Sequence, residues 1–125
     1  MERSVLVSLI ETLADEYPQV RAAAIQDLET LQPSGEWRQH LVHECYVPVG
    51  EFIVSEGEKA HPVNVEAFYI AKTPVTNADY KRYADDQGIA FKIPDGKANH
   101  PVVRVTWYKA REYAHWARMR LPTEA

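Results

Sequence analysis

The chain has a single cysteine, Cys45, among 125 residues. No disulfide can form within it, and a cytoplasmic home is the default expectation. It has no apolar run approaching the ~20 residues that cross a bilayer, so no membrane association is expected. The stretch Val5 to Ile10 is short, contains Ser8 and is followed by Glu11, Asp15 and Glu16. It does not read as a secretory signal. Basic residues are not in excess, at 14 against 18 acidic ones for a net charge of -4, and nothing recommends nucleic acid as a partner. What the chain does have is 46% hydrophobic residues, which rules out a wholly disordered polymer. Its length suits one ordinary domain, or a small one with an appendage.

The charge is unevenly placed. Residues 1–31 hold Glu2, Glu11, Asp15, Glu16, Asp27 and Glu29 against only Arg3 and Arg21, which accounts for the whole imbalance. Arg104, Lys109, Arg111, Arg118 and Arg120 gather late with Glu112 alone opposing, a pattern expected of a solvated helix face. At the front, Leu6, Leu9, Ile10 and Leu13 fall on one helical stripe, with Ser4 as the expected N-cap. Pro18 marks a break and suits the first turn of a second helix, running to about Leu31. Val20, Ala23, Ala24, Leu28 and Leu31 are expected to share its buried face. The run from Pro18 to Leu31 resembles the second helix of a HEAT repeat. One such unit cannot bury both its faces alone; a plain helical hairpin is the other reading. Pro33, Ser34 and Gly35 punctuate the chain just after Leu31. The expected division is a helical hairpin over residues 1–34, a linker over 35–44 and a second segment over 45–125.

In that second segment the texture changes to short strands and turns. Tyr46-Val47 leads through Pro48-Val49-Gly50 into Glu51-Phe52-Ile53-Val54, and a polar turn is expected over Ser55 to Ala60. Val63, Val65 and Ala67 alternate with Asn64 and Glu66, the period of a half-buried strand that Phe68, Tyr69 and Ile70 complete. A helix then starts at Thr76, whose capping box is closed by Asp79, and ends at Gly88. Val75 and Tyr80 are placed for a hydrophobic staple, and Tyr80, Tyr83 and Ala84 form its apolar face. Pro101 to Val105 reads as a short strand. A second helix is capped by Thr106, with Trp107, Ala110, Ala114 and Ala117 on one face and Tyr113 and Trp116 widening it. The fold class is α+β.

These residues carry a resemblance. Val47-Pro48-Val49-Gly50-Glu51-Phe52 resembles the opening strand and turn of formylglycine-generating enzyme (sulfatase-modifying factor) domains. His61-Pro62-Val63 and the run from Phe68 to Tyr80 resemble the next strand and first helix. Asn99 to Tyr108 resembles the approach to the second helix, and Trp116-Ala117 with Arg120 to Ala125 the signature that ends it. Ile53-Val54-Ser55 departs from the family's usual Met-Gly-Ser, and Arg118-Met119 stands where Gly-Lys is more usual. The resemblance implies a partial C-type-lectin-like fold, cut at Ala125 within the family's most recognisable motif. It also implies the chemistry of complete members: a cysteine pair, copper and oxygen convert a sulfatase cysteine to formylglycine, with calcium as a further ion of the complete domain. Those cysteines lie in the family's C-terminal half. No catalytic, cofactor-binding or metal-binding residue is therefore assigned to this chain, and no cofactor is expected in it. A protein partner, sulfatase-like or other, is the expected one.

The remaining candidates are read residue by residue. Cys45 is expected to be a small apolar packing residue. His40, His43 and Cys45 have ligand-like types, but no second cluster completes a four-ligand site. His61 and His100 each precede a proline and suit structural hydrogen bonds; His115 is expected half-buried. Trp107, Tyr108, Tyr113 and Trp116 could form an aromatic box, yet their helical spacing favours core packing. Asp85, Asp86 and Asp95 do not make a calcium loop. Another branch of the superfamily draws iron-binding histidines from an N-terminal helical bundle, and residues 1–39 hold none. Two functions stay open: the N-terminal fragment of an oxidase, inactive alone, or a non-catalytic protein-binding or scaffold module.

Overall fold

A computed structural model describes residues 2–54 and 57–122. Helix α1 spans Glu2–Thr12 and α2 spans Pro18–Leu31, with Pro18 in the first turn where its missing N–H costs nothing. Ser4 lies inside α1, so it is not the cap. Leu13, Ala24, Ile25 and Leu28 form a buried cluster against which Leu6, Leu9 and Ile10 pack. The face of α2 is rotated from the expected one. Pro18, Arg21, Ala24, Ile25 and Leu28 are buried, whereas Val20 and Leu31 are exposed. The reason is Arg21, which a hydrophobicity pattern places in solvent. Its Nε donates to Glu44 Oε2 at 3.0 Å and its Nη1 donates to the Asp15 carbonyl at 2.6 Å.

Residues 35–44 are not a free connection. Gly35 adopts φ +81°, and a Cβ there would lie 2.2 Å from Arg38 Nη1, so glycine lets Arg38 fold back. A short 3-10 turn, Glu36–His40, comes directly after and buries Trp37 in the same cluster as α1 and α2. Its indole N–H donates to the Gln32 carbonyl at 3.1 Å.

Four strands come next: β1 Glu44–Val47, β2 Gly50–Val54, β3 His61–Val65 and β4 Phe68–Ala71. β1 pairs antiparallel with β4 and β2 with β3. The register is unbroken. Val47↔Phe68 would continue through Pro48 and Val49 opposite Ala67 and Glu66 into Gly50↔Val65. The four strands thus follow one two-stranded ribbon, interrupted at Pro48-Val49 opposite Glu66-Ala67. The expected single strand from Val63 to Ile70 is two strands, parted at Glu66-Ala67. Of the expected turn at Ser55 to Ala60, Ser55 and Glu56 lie outside the described residues, as do Thr123, Glu124 and Ala125 of the terminal signature. Gly57–Lys59 forms a 3-10 turn.

Helices α3, Asn77–Gln87, and α4, Trp107–Trp116, complete the α+β architecture. The Thr76 hydroxyl accepts from the Asp79 amide at 3.1 Å and the Thr76 amide donates back to Asp79 at 3.2 Å, a closed capping box. Gly88 ends α3 at φ +70°, and the Thr106 hydroxyl caps α4. Pro101 to Val105 is not a strand. It makes a single bridge, Thr76↔Pro101, and one hydrogen bond from the Val102 amide to Val75, after which Arg104 turns to φ +59°. Arg118, at the departure from Gly-Lys, holds φ +59° just past α4, a left-handed position that suits glycine. The turn is kept and the arginine bears its cost.

Two outcomes are expected. Arg118→Gly should raise stability by about 0.5–1 kcal/mol in a denaturant melt; a loss would mean that the side chain of Arg118 outweighs its backbone. Glu44→Ala should cost about 3 kcal/mol, and Arg21→Met with Glu44→Leu together markedly less, because the single change strands a buried charge. Equal losses would place the interaction elsewhere.

Candidate functional site

The strongest concentration of functional side-chain types lies where α3 meets α4. Thr76 and Gly88 fix the ends of α3, which sets Tyr80, Tyr83 and Ala84 on one buried face at 7%, 5% and 0% exposure. Thr106 starts α4 so that Ala114 and Ala117 are buried and Tyr113 and Trp116 face α3. The rings meet in a continuous cluster. Tyr80 stacks on Tyr113 at 6.0 Å and meets Phe91 edge-on at 5.0 Å; Tyr83 meets Tyr113 at 5.5 Å and Trp116 at 5.4 Å. These are favourable offset and edge-to-face geometries. Trp116 also donates to Asp86 at 2.7 Å and touches Tyr17 of the hairpin at 6.2 Å.

Beside this cluster opens a cleft of about 170 Å³ lined by Tyr80, Tyr83, Phe91, Arg104, Lys109 and Glu112, with aliphatic walls. Burial pushes the Tyr113 hydroxyl up to about 12, with the charge of Asp79 adding to it. Burial and then the negative charge of Glu112 also raise Tyr80 and Tyr83. These hydroxyls stay protonated at neutral pH and can donate, but they are not poised as bases.

A second polar assembly joins α2 to β4. Arg38 donates to Glu29 at 2.7 Å and to the Tyr69 hydroxyl at 2.9 Å, and Tyr69 donates to Glu29. The guanidinium lies 3.8 Å from the Tyr46 ring centre, and Trp37 stacks on Tyr69 at 6.0 Å. The bond to Glu29 raises the Arg38 pKa. Burial, then donation to Glu29, raises Tyr69. Burial would raise Glu29, but its bonds from Tyr69 and Arg38 outweigh that and hold it below the usual carboxylate value. Every member has a partner within the assembly, which is the signature of a structural clasp. Sequence reading missed this clasp and the Arg21–Glu44 pair. The available signal was an arginine set among the buried positions of α2, which requires a carboxylate.

The candidates named from the sequence are dispersed. Cys45 is exposed on β1, opposite Ile70. It is not a packing residue: strand alternation turns Glu44 and Tyr46 toward the hairpin and leaves Cys45 on the other face. His40, His43, His61, His100 and His115 are all exposed, the last against expectation. His61 Nδ1 lies 3.0 Å from the Lys59 carbonyl. Trp107 and Tyr108 are 60% and 71% exposed and do not join Tyr113 and Trp116. Asp85 pairs with Lys81 and Asp86 with Trp116. Among the described residues no three His, Cys, Asp or Glu side chains could hold a metal ion. The copper and calcium implied by the resemblance do not fit these residues. Soft thiolate ligation of copper needs more than one exposed Cys45, and Asp85 and Asp86 are already engaged.

The aromatic cluster has a measurable consequence. Tyr80, Tyr83 and Tyr113 hold their protons more tightly when folded, so the stability they contribute is complete below pH ~10 and is lost as pH rises through the folded values. In a spectrophotometric titration, the tyrosinate of these three buried rings should appear together with loss of helical circular dichroism, between pH ~10 and about 12, the Tyr113 value. Full ionisation near pH ~10 with the helices intact would contradict the packing.

Comparison with known proteins places this stretch. The sulfatase-modifying factor enzyme 1-like domain matches residues 30–125. Serine/threonine-protein kinase pkn1 of Chlamydia caviae is 35% identical over 108 residues, covering 64% of this chain and 18% of that protein. Hercynine oxygenase of Mycolicibacterium thermoresistibile is 34% identical over 98 residues, covering 52% and 22%. Formylglycine-generating enzyme of Streptomyces coelicolor is 63% identical over 30 residues, covering 24% and 10%. The chain therefore spans less than a quarter of the length of these relatives. No helix among the described residues is long and apolar enough to cross a membrane. With the family's domain matched from residue 30 onward, the chain belongs to the sulfatase-modifying factor (formylglycine-generating enzyme) family.

Proposed function

We propose that this chain is the N-terminal scaffold portion of a formylglycine-generating-enzyme-like protein, and that oxidation of a sulfatase cysteine, the activity the resemblance implies for complete members, needs residues this stretch does not contain. The observation that carries the reading is the contrast between a well-formed pair of capped helices matching the family and a lone thiol, Cys45, exposed on the ribbon and in no three-ligand group among the described residues. A partial lectin-like fold, with the hairpin of α1 and α2 as a HEAT-like leader, belongs to the same proposal. Exposed Val49, Ile53, Ile70, Val103, Trp107 and Tyr108 support it, since a domain portion leaves apolar surface for other polypeptide to cover.

A non-catalytic binding module is the second reading. It is favoured by the exposed pair Trp107–Tyr108, with Arg111 at 5.6 Å from the Trp107 ring. Tryptophan, tyrosine and arginine are the residue types that dominate interface energetics.

The test is direct. Purified chain, supplied with copper, oxygen and a sulfatase-motif cysteine peptide, should form no peptide aldehyde by mass spectrometry; conversion would overturn the scaffold reading. Sequencing the gene past Ala125 separates the two readings, because a suitably placed cysteine pair supports the oxidase parent and its absence supports the binding module.

A further inference from the structure

The rotation of α2 that buries Arg21 also sets the outer face of the hairpin. Val20 and Leu31, which the hydrophobic pattern places inside, are left 39% and 47% exposed. Val20, Asp27 and Leu31 fall at i, i+7 and i+11, one stripe roughly 16 Å long at the ordinary helical rise. The start of α1 lies beside the end of α2. A groove of about 270 Å³ opens between them, lined by Val5, Leu9, Asp27, Thr30 and Leu31. The Thr30 hydroxyl is engaged, donating to the Gln26 carbonyl at 3.3 Å. Asp27 is exposed and in no ion pair among the described residues. The groove is therefore apolar with one uncommitted carboxylate on its wall. The surface around it is acidic: residues 1–31 hold six acids against two arginines, Glu11 is exposed, and Arg21 is turned inward onto Glu44. The family's domain is matched from residue 30. Val5, Leu9, Val20 and Asp27 precede it, unlike the apolar surface around Val49, Ile53 and Trp107. Two helices satisfy their own backbone groups and offer no strand edge. A segment laid along them must satisfy its own backbone as well, which a helix does.

We propose that this groove docks a basic amphipathic helix of a partner protein. The incoming apolar side chains, spaced i, i+3, i+4 and i+7, pack against Val5, Leu9 and Leu31 and run on toward Val20, while a lysine or arginine meets Asp27. Charge decides between this occupant and a second copy of the chain. Symmetric pairing of two hairpins would set each Asp27 and its acidic surroundings against the same charges of the other. The proposal is independent of the oxidase and scaffold readings.

The test is a titration of the full chain with a synthetic helical peptide of lysine, alanine and leucine, its leucines on one stripe, followed by amide NMR shifts. Saturable binding with Kd below ~1 mM is expected, with shifts gathered at Val5, Leu9, Asp27 and Leu31. The same peptide with glutamate for lysine should bind at least roughly tenfold more weakly. Leu31 and Asp27 lie outside the buried cluster, so the fold should survive changes at either. Leu31→Asp should weaken the lysine peptide roughly tenfold. Asp27→Lys should weaken the lysine peptide and tighten the glutamate one, a reversal that general loss of structure cannot produce. Should one variant lose its native spectrum, the other decides alone. Absence of saturation, equal affinity for the glutamate peptide, or wild-type affinity in both variants would overturn the proposal. So would a dimer of the free chain in sedimentation that Leu31→Asp disperses, which would give the groove to a second copy.

Discussion

Two opposite charges withdrawn from water together must stay together, since separating them leaves one buried without compensation. In this chain those charges are Arg21 of α2 and Glu44 of β1, with side chains 11% and 4% exposed and 3.0 Å apart. The pair fixes which face of α2 is buried, which face of β1 looks inward, and the separation between helix and ribbon. Trp37 fills the space that this spacing leaves, and Tyr69 from β4 packs onto it. The Arg38–Glu29–Tyr69 clasp closes the same junction from its outer side. The hairpin and the ribbon therefore share one buried cluster.

The α3–α4 half is built differently. Its buried surface is mostly aromatic ring on aromatic ring, with small alanines at 84, 114 and 117 allowing the helices to approach. Among the described residues it meets the hairpin at Tyr17 against Trp116 and at Glu16 near Arg82, 3.6 Å apart. An exposed pair of this kind adds little energy. The helix pair has a dense aromatic interior of its own. A cleft can persist beside such an interior because rings do not fill space around a bent connection as flexible aliphatic chains do.

What the sequence made legible depends on how local each signal is. The capping box of Thr76 and Asp79, the Gly88 stop and the Thr106 cap are settled by residues within a turn of one another, and each is present. The tyrosines of α3 were legible because their spacing matches one helix face. The buried face of α2 was not, since Arg21 belongs to it only through a carboxylate 23 residues away. The split of β3 from β4 was hidden because Glu66-Ala67, where it falls, contains neither glycine nor proline. Trp107 falls on the same stripe as Ala114, but at the start of α4, where no other described element covers it. The departure at Arg118 was visible in the sequence as a missing glycine; its consequence, an arginine in a left-handed turn, needed the backbone to be seen.

The unbroken register across the gap at Pro48 ties the lengths of two connections to each other. Pro48-Val49 on one side is matched by Glu66-Ala67 on the other. Lengthening Pro48-Val49 by one residue, with β2 and β3 still paired and the ladder continuous, would invert β1 against β4. Cys45 and Val47 would then turn toward the hairpin, and the carboxylate of Glu44 would point into solvent with Arg21 left behind. Length changes that keep both ladders in face come as matched insertions on both strands or as a bulge at the gap.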